Sequence, residues 1–187
     1  SEDPGDISYR VIPADADLGS MKIVHGHYDH SEADADPNIV FPLETLRQLA
    51  AGGVIGAVND KHYSFGFTTR LKDLYEIAYP EVADKVERSK TKLVLLMAGC
   101  PETCHRAVGN LAREIVSRGV PTIIISASPS GTEFVPPPRA MAWGGVALGR
   151  IVGRAGDREQ HKQIVRAALQ MFTHDTPPGK VVMKNVR

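Results

Sequence analysis

Apolar and polar positions alternate along the chain in two rhythms that divide it into strands and helices. Lys92–Ala98 is a continuous apolar run of strand length, so it is expected to be buried on both faces, as in a parallel sheet. Gly99-Cys100-Pro101 ends that run, and Pro101 suits the first position of a helix. Glu102–Arg118 then carries Val108, Leu111, Ala112 and Ile115 on one side, and Gly119 closes it. Pro121–Ser126 reads as a second buried strand, which completes a β-α-β unit with parallel strands.

Upstream, Tyr9–Ile12 and Met21–His25 are short strand candidates, and Val54–Val58 and His62–Phe67 are extended pieces. Leu43–Ala51 is helical by spacing, with Leu43, Leu46 and Ala50 on one face and Gly52-Gly53 as its stop. Arg70–Tyr79 places Leu71, Leu74, Ile77 and Ala78 at helical intervals, and Pro80 is expected to interrupt before Glu81–Arg88. Ser128–Gly156, rich in Pro and Gly, reads as a long loop. Asp157 with Gln160 forms a capping box for a helix whose apolar face is Ile164, Ala167, Ala168 and Met171. Val181–Val186 alternates like a final edge strand. The fold class expected is α/β: an open, mostly parallel three-layer sheet with helices on both faces, Rossmann- or flavodoxin-like.

At 187 residues, 1–187 suits a single domain. Two cysteines exclude a disulfide-stapled scaffold, and no apolar run approaches the ~18 residues that cross a bilayer. With 22 basic and 22 acidic residues, the chain lacks the positive excess of a nucleic-acid binder. The expectation is a cytoplasmic protein without membrane or nucleic-acid partners. Zero net charge conceals a polarity, however. Residues 1–40 hold nine acids and two bases, and residues 139–187 hold nine bases and three acids. The two ends either neutralise each other or leave a basic surface near the C-terminus. The chain opens on Ser1, so a preceding N-terminal segment is expected.

Chemistry concentrates at Cys100 and Cys104. Cys100 stands at the carboxyl end of a parallel strand, where open α/β sheets bind ligands, and at a helix N-terminus, whose positive end favours a thiolate. Cys104 is four residues on, hence on the same helix face. His105 and Arg106 add proton-transfer and cationic groups. Together these point to a nucleophilic or redox-active thiol; two buried structural cysteines are the plain alternative. Arg139, stiffened by three preceding prolines, is a candidate for holding a substrate carboxylate.

His25-Gly26-His27-Tyr28-Asp29-His30 offers a different chemistry. H-x-H-x-D-H is the metal signature of metallo-β-lactamase-fold hydrolases, with His25, His27, Asp29 and His30 as ligands for Zn²⁺. The surroundings match poorly, since Ser31-Glu32-Ala33-Asp34 stands where that fold has a glycine pair. A zinc site joining these histidines to Cys100 or Cys104 is a further possibility, and solvated loop histidines are the plain one.

Several segments taken together resemble one family. These are His25-Gly26-x-Tyr28-Asp29, Asp36-Pro37-x-x-Val40-Phe41-Pro42-Leu43, Leu46-Arg47-x-Leu49 and Gly52-x-Val54-Ile55-Gly56. Cys100-Pro101, Cys104-His105-Arg106-x-Val108-Gly109, Gly119-Val120-Pro121-Thr122, the Pro137-Pro138-Arg139 loop and Gly149–Gly156 continue the pattern. The chain is similar to the selenoprotein B subunits of glycine, sarcosine and betaine reductases and of D-proline reductase, as a small, cysteine-containing member.

In that family the residue at the position of Cys100 is often selenocysteine and is the nucleophile. The resemblance thus implies an oxidoreductase: Cys100 attacks in reductive C–N cleavage of a small amine- or carboxylate-bearing substrate, Cys104 resolves and His105 is acid/base. His25, Tyr28 and Asp29 would line the substrate pocket, with His25 facing Cys100. No bound cofactor is expected, and an external thiol or thioredoxin-like protein would supply electrons. A partner subunit and a homo-oligomer are expected. The alternatives are a Zn-dependent hydrolase and a non-catalytic subunit of a reductase complex. Two departures stand out: cysteine replaces selenocysteine, and the second cysteine lies four residues on rather than the family's three.

Overall fold

The computed structural model describes residues 5–101 and 103–185; the expected helix start at Glu102, the strand end at Val186 and the acidic residues Glu2 and Asp3 lie outside them. The four strands β3 (Val94–Met97), β4 (Thr122–Ser126), β5 (Ala140–Trp143) and β6 (Val181–Lys184) form a parallel sheet in chain order. Their register aligns Leu96 with Ile124 and Ile124 with Ala140. All five residues of β4 are buried, as an apolar run without alternation requires.

Alternate β4 side chains serve opposite layers. Ile123 and Ile125 join Met141 and pack with Leu49 of α2 (Leu43–Ala51) and with Ile164, Val165 and Ala168 of α7 (Arg158–Gln170). Ile124 packs the other way, with Ala112 of α5 (Thr103–Ser117) and Ala140. Beyond α5 lies α4 (Tyr79–Arg88), whose Val82, Ala83 and Val86 meet Leu111 and Ile115. The protein is therefore α/β, with helices on both faces of a parallel sheet. A second, antiparallel sheet pairs β1 (Tyr9–Pro13) with β2 (Lys61–Phe65), and its Tyr9, Tyr63 and Phe65 pack against the α4 cluster.

Several expectations change. Met21–His25 runs without ladder pairing, and Lys22 and Val24 are exposed. Val54–Val58 is likewise unpaired. Ser128–Gly156 is no structureless loop, because it contains the short helix α6 (Pro129–Glu133) and β5. Pro80 does not interrupt its helix. α3 (Leu71–Asp73) widens into a π turn at Leu74–Ala78 and continues into α4, with Tyr79 N–H donating to the Leu74 carbonyl. The widened turn accommodates the missing proline donor. The Asp157 half of the capping box forms, its carboxylate accepting Gln160 N–H at 3.0 Å. Gln160 instead accepts Arg154 N–H at 2.8 Å.

The acidic front and the basic segment do meet. Arg150 pairs with Glu32 of α1 (Ser31–Ala35) at 3.3 Å, Asp36 accepts Gly156 N–H at 2.8 Å, and Ile39 O accepts Val152 N–H at 2.8 Å. Neutralisation between the ends is thus a matter of specific contacts around the Met21–His30 loop.

Candidate active site

The end of β3 sets the position of both thiols. Met97 is its last paired residue, Gly99-Cys100-Pro101 turns the chain, and α5 begins at Thr103. The neighbouring turn after β4 supports this one, since Gly131 lies against the Pro101 carbonyl and Ser126 and Thr132 share a buried 2.7 Å hydrogen bond. Cys100 is buried and Cys104 partly exposed. Their sulfurs stand 2.8 Å apart as free thiols, and Cys104 N–H donates to Cys100 Sγ at 3.3 Å. An amide of the first helical turn thus serves the first cysteine, as expected where a helix N-terminus meets a thiolate.

Across this pair stands His25, with Nε2 3.3 Å from Cys104 Sγ. Its Nδ1 accepts His27 N–H at 3.3 Å, which leaves Nε2 to carry the proton of the neutral ring and aims that proton at Cys104. The imidazole is seated among aromatic rings: Tyr28 at 4.9 Å, His27 at 5.3 Å and Phe67 at 5.7 Å between centroids. Tyr28 fixes the loop against the scaffold at two glycines. A methyl group on Gly99 would sit 2.9 Å from the Tyr28 ring. One on Gly149, whose φ is +77°, would sit 2.4 Å from the Asp29 carbonyl and 2.9 Å from the same ring. Only glycine lets the backbone approach this closely.

The electrostatics separate the two thiols. A hydrogen bond from Cys104 holds the Cys100 thiol well below the ordinary range; His25 and the Cys104 amide add to the effect, and burial opposes it. Cys104 is pushed upward by its bond to Cys100, by burial and by the charge on its neighbour. Two sulfurs this close share one proton, and the charge rests on Cys100, with the Cys104 thiol as the first cause. Tyr28 is raised by burial and then by the nearby thiol charge, so its phenol stays protonated.

Not every residue expected here arrives. His105 is buried with its ring turned away from the sulfurs; its Nδ1 donates to the Cys100 carbonyl at 2.6 Å and its Nε2 has no partner. Burial lowers its pKa. Adjacency to Cys104 misleads because successive helical side chains diverge by ~100°. His105 therefore positions the cysteine turn, and the imidazole beside the thiols is that of His25. Asp29 is exposed and accepts Ser31 N–H at 3.0 Å at the head of α1, rather than lining the pocket. Arg139 precedes β5, at the opposite end of the parallel sheet from Cys100. There it donates to Thr176 at 3.0 Å and stacks 4.9 Å from Phe172, so it does not reach a substrate at the thiols.

The H-x-H-x-D-H residues do not converge. His27 stacks on Phe67 at 4.1 Å, and His30 pairs with Asp34 at 2.7 Å. Among the described residues, the grouping with metal-ligand geometry is His25, Cys100 and Cys104. The hydrolase arrangement of His25, His27, Asp29 and His30 is therefore not assembled. From sequence Phe67 reads only as the end of an extended piece and its place at the site is missed, because an aromatic after β2 carries no local signal of its partner across the chain. An apolar cavity of about 170 Å³ lies elsewhere, between Phe41, His62, Leu95 and Met97, and includes neither thiol. Chemistry rather than size marks the site. No helix among the described residues is long and apolar enough to cross a membrane.

Known proteins give this geometry a lineage. The family model described as glycine/sarcosine/betaine reductase selenoprotein B matches residues 9–98. The D-proline reductase subunit gamma of Acetoanaerobium sticklandii is 36% identical over 179 residues, 95% of this chain and 73% of that protein. The glycine reductase complex component B subunit gamma of Symbiobacterium thermophilum is 28% identical over 161 residues, covering 80% of this chain and 35% of its own. The betaine reductase complex component B subunit beta of Peptoclostridium acidaminophilum is 32% identical over 106 residues, 56% of this chain and 24% of its own. No solved structure matches. The chain thus spans nearly three quarters of one relative and about a third or less of the other two. On the strength of the D-proline reductase relative and the matching segment through β3, the chain belongs to the glycine/sarcosine/betaine reductase selenoprotein B family.

Proposed function

We propose that this protein is the thiol-bearing subunit of an amino-acid-type reductase complex, acting by reductive cleavage of a C–N bond. The observation that carries this reading is the meeting of Cys100, Cys104 and His25 at the carboxyl end of β3. The relatives, named as subunits or components of D-proline, glycine and betaine reductases, support a partner subunit and a substrate bearing an amine and a carboxylate.

The chemistry balances as follows. The Cys100 thiolate attacks the activated carbon; a C–S bond forms and the C–N bond breaks, with the amine leaving with a proton delivered through His25. Cys104, as thiolate, then attacks the Cys100 sulfur. An S–S bond forms, the C–S bond breaks and the carbon takes a proton, so the substrate gains two electrons and the dithiol becomes a disulfide. The 2.8 Å separation leaves under 1 Å of sulfur movement to a bond of ~2.05 Å. An external dithiol, small or thioredoxin-like, restores both thiols. Cysteine in place of selenium makes the depressed Cys100 thiol the compensating feature.

Mass mapping tests this reading. A mild thiol oxidant is expected to give one intrachain Cys100–Cys104 disulfide, and brief iodoacetamide treatment of reduced protein at pH 7 is expected to label Cys100 before Cys104. Equal, slow labelling of both together with no intrachain disulfide would overturn it.

A further inference from the structure

The cluster that serves thiol chemistry is also a set of soft ligands, and we propose that His25 Nε2, Cys100 Sγ and Cys104 Sγ bind one Zn²⁺ ion in a three-ligand site with an open fourth position. The three atoms all lie within 4.8 Å of one another, and the group is unique in this among the described residues. A tetrahedral zinc with Zn–S of ~2.3 Å and Zn–N of ~2.0 Å needs ligand edges of roughly 3.4–3.8 Å. Two edges here are 2.8 Å between the sulfurs and 3.3 Å from His25 to Cys104, so each of these opens by about 1 Å or less, and the third lies within 4.8 Å. Rotation about the two cysteine side chains supplies that.

The donor set favours Zn²⁺ over harder cations. Two thiolates and one imidazole match soft or borderline metals, and no carboxylate joins the group. Two thiolates also cancel the dication, so a half-buried site gains a neutral occupant in place of two crowded sulfurs. The second shell is half built: Cys104 N–H already points at Cys100 Sγ. On loading, the imidazole proton moves to Nδ1, and the bond from His27 N–H is given up; at 3.3 Å it is a long one. The thiol proton passes to solvent and nothing is oxidised. Cys104 is partly exposed, so water would be available as a fourth ligand.

Metal and disulfide exclude one another, because an oxidised cysteine pair offers no thiolate. The inference does not require the reductase reading, only the geometry, and makes Zn²⁺ a reversible block on the same thiols.

The test uses the full chain, reduced and metal-stripped under anaerobic conditions, titrated with ZnSO₄ against a chromophoric chelator while free thiols are counted on the same sample. One Zn²⁺ per chain is expected, with both thiols then shielded from iodoacetamide. Co²⁺ in place of Zn²⁺ should give the strong thiolate-to-metal absorption of a tetrahedral site. Cys104→Ser and His25→Ala each remove a ligand and are each expected to weaken binding by more than the ~10–100-fold that loss of an outer-shell partner costs. Disulfide-oxidised protein is expected to bind none, and His30→Ala, whose ring pairs with Asp34 rather than with His25, to bind as the parent does. Failure of reduced protein with two countable thiols to bind Zn²⁺ would overturn the site and leave the disulfide chemistry standing. Loss of zinc in His30→Ala without loss in Cys104→Ser would also overturn it and return the ligands to the H-x-H-x-D-H loop.

Discussion

Cys100 and Cys104 stand at the end of β3, beside a β4 whose five residues are all buried, while His25 rides on a stretch in which Lys22, Val24, Gly26 and His27 are exposed and no ladder holds the backbone. One half of the candidate site is thus held by the core. The other is held by ring contacts, two glycine contacts and a few polar links from the Gly149–Gly156 segment. The difference teaches where each kind of damage will be felt. Injury to the sheet removes the site with the fold, whereas injury to the loop separates His25 from the thiols and leaves the fold in place.

The largest effect is expected in the core. Ile124 is fully buried between Ala112 and Ala140. Ile124→Ala should cost about 2–5 kcal/mol by deleting side-chain volume from a site with little room to collapse. Urea denaturation followed by circular dichroism reads it. Below the transition, the oxidised protein should still give the Cys100–Cys104 disulfide. A cost under about 1 kcal/mol would show that the sheet is not what fixes the thiols.

This division follows what the sequence makes legible. β3, β4 and α5 announce themselves because apolar runs and Gly/Pro punctuation are local, and Cys100 at their junction is read directly from them. β5 is concealed: four residues between a proline run and a glycine pair resemble a loop until β4 and β6 flank them. The π turn that admits Pro80 has no pattern of its own. The roles of His25 and His105 depend on direction, which spacing does not carry. His105 sits next to Cys104 in sequence and points inward, whereas His25 is 79 residues away and faces it. Family resemblance implied His25 facing Cys100; the imidazole contacts Cys104 at 3.3 Å and acts on Cys100 as well.

A middle-sized effect is expected where loop meets scaffold. Gly149→Ala puts a methyl group 2.4 Å from the Asp29 carbonyl at a φ of +77°. The strain is worth about 1–3 kcal/mol, and the loop, lacking ladder bonds, yields before the sheet does. The signature is a split. Global stability should fall by less than that strain, while the His25–Cys104 contact is lost and the iodoacetamide labelling rate of Cys104 relative to Cys100 changes. Equal loss in both measurements would mean that loop and sheet unfold as one unit.

The smallest effect concerns the ion pair that bridges the two regions. Arg150 and Glu32 approach to 3.3 Å with side chains 40% and 49% exposed, so solvent screens them. A double-mutant cycle of Arg150→Ala and Glu32→Ala should give a coupling of only about 0.2–1 kcal/mol, shrinking further in 0.5 M NaCl. The same segment is also tied down by Gly156 N–H to Asp36 and Val152 N–H to the Ile39 carbonyl, neither of which depends on the guanidinium. Disulfide formation and the labelling order of the thiols should therefore be unchanged in the double mutant. A coupling well above 1 kcal/mol, or a change in labelling order, would make charge rather than backbone contact the agent that holds the histidine loop over the thiols.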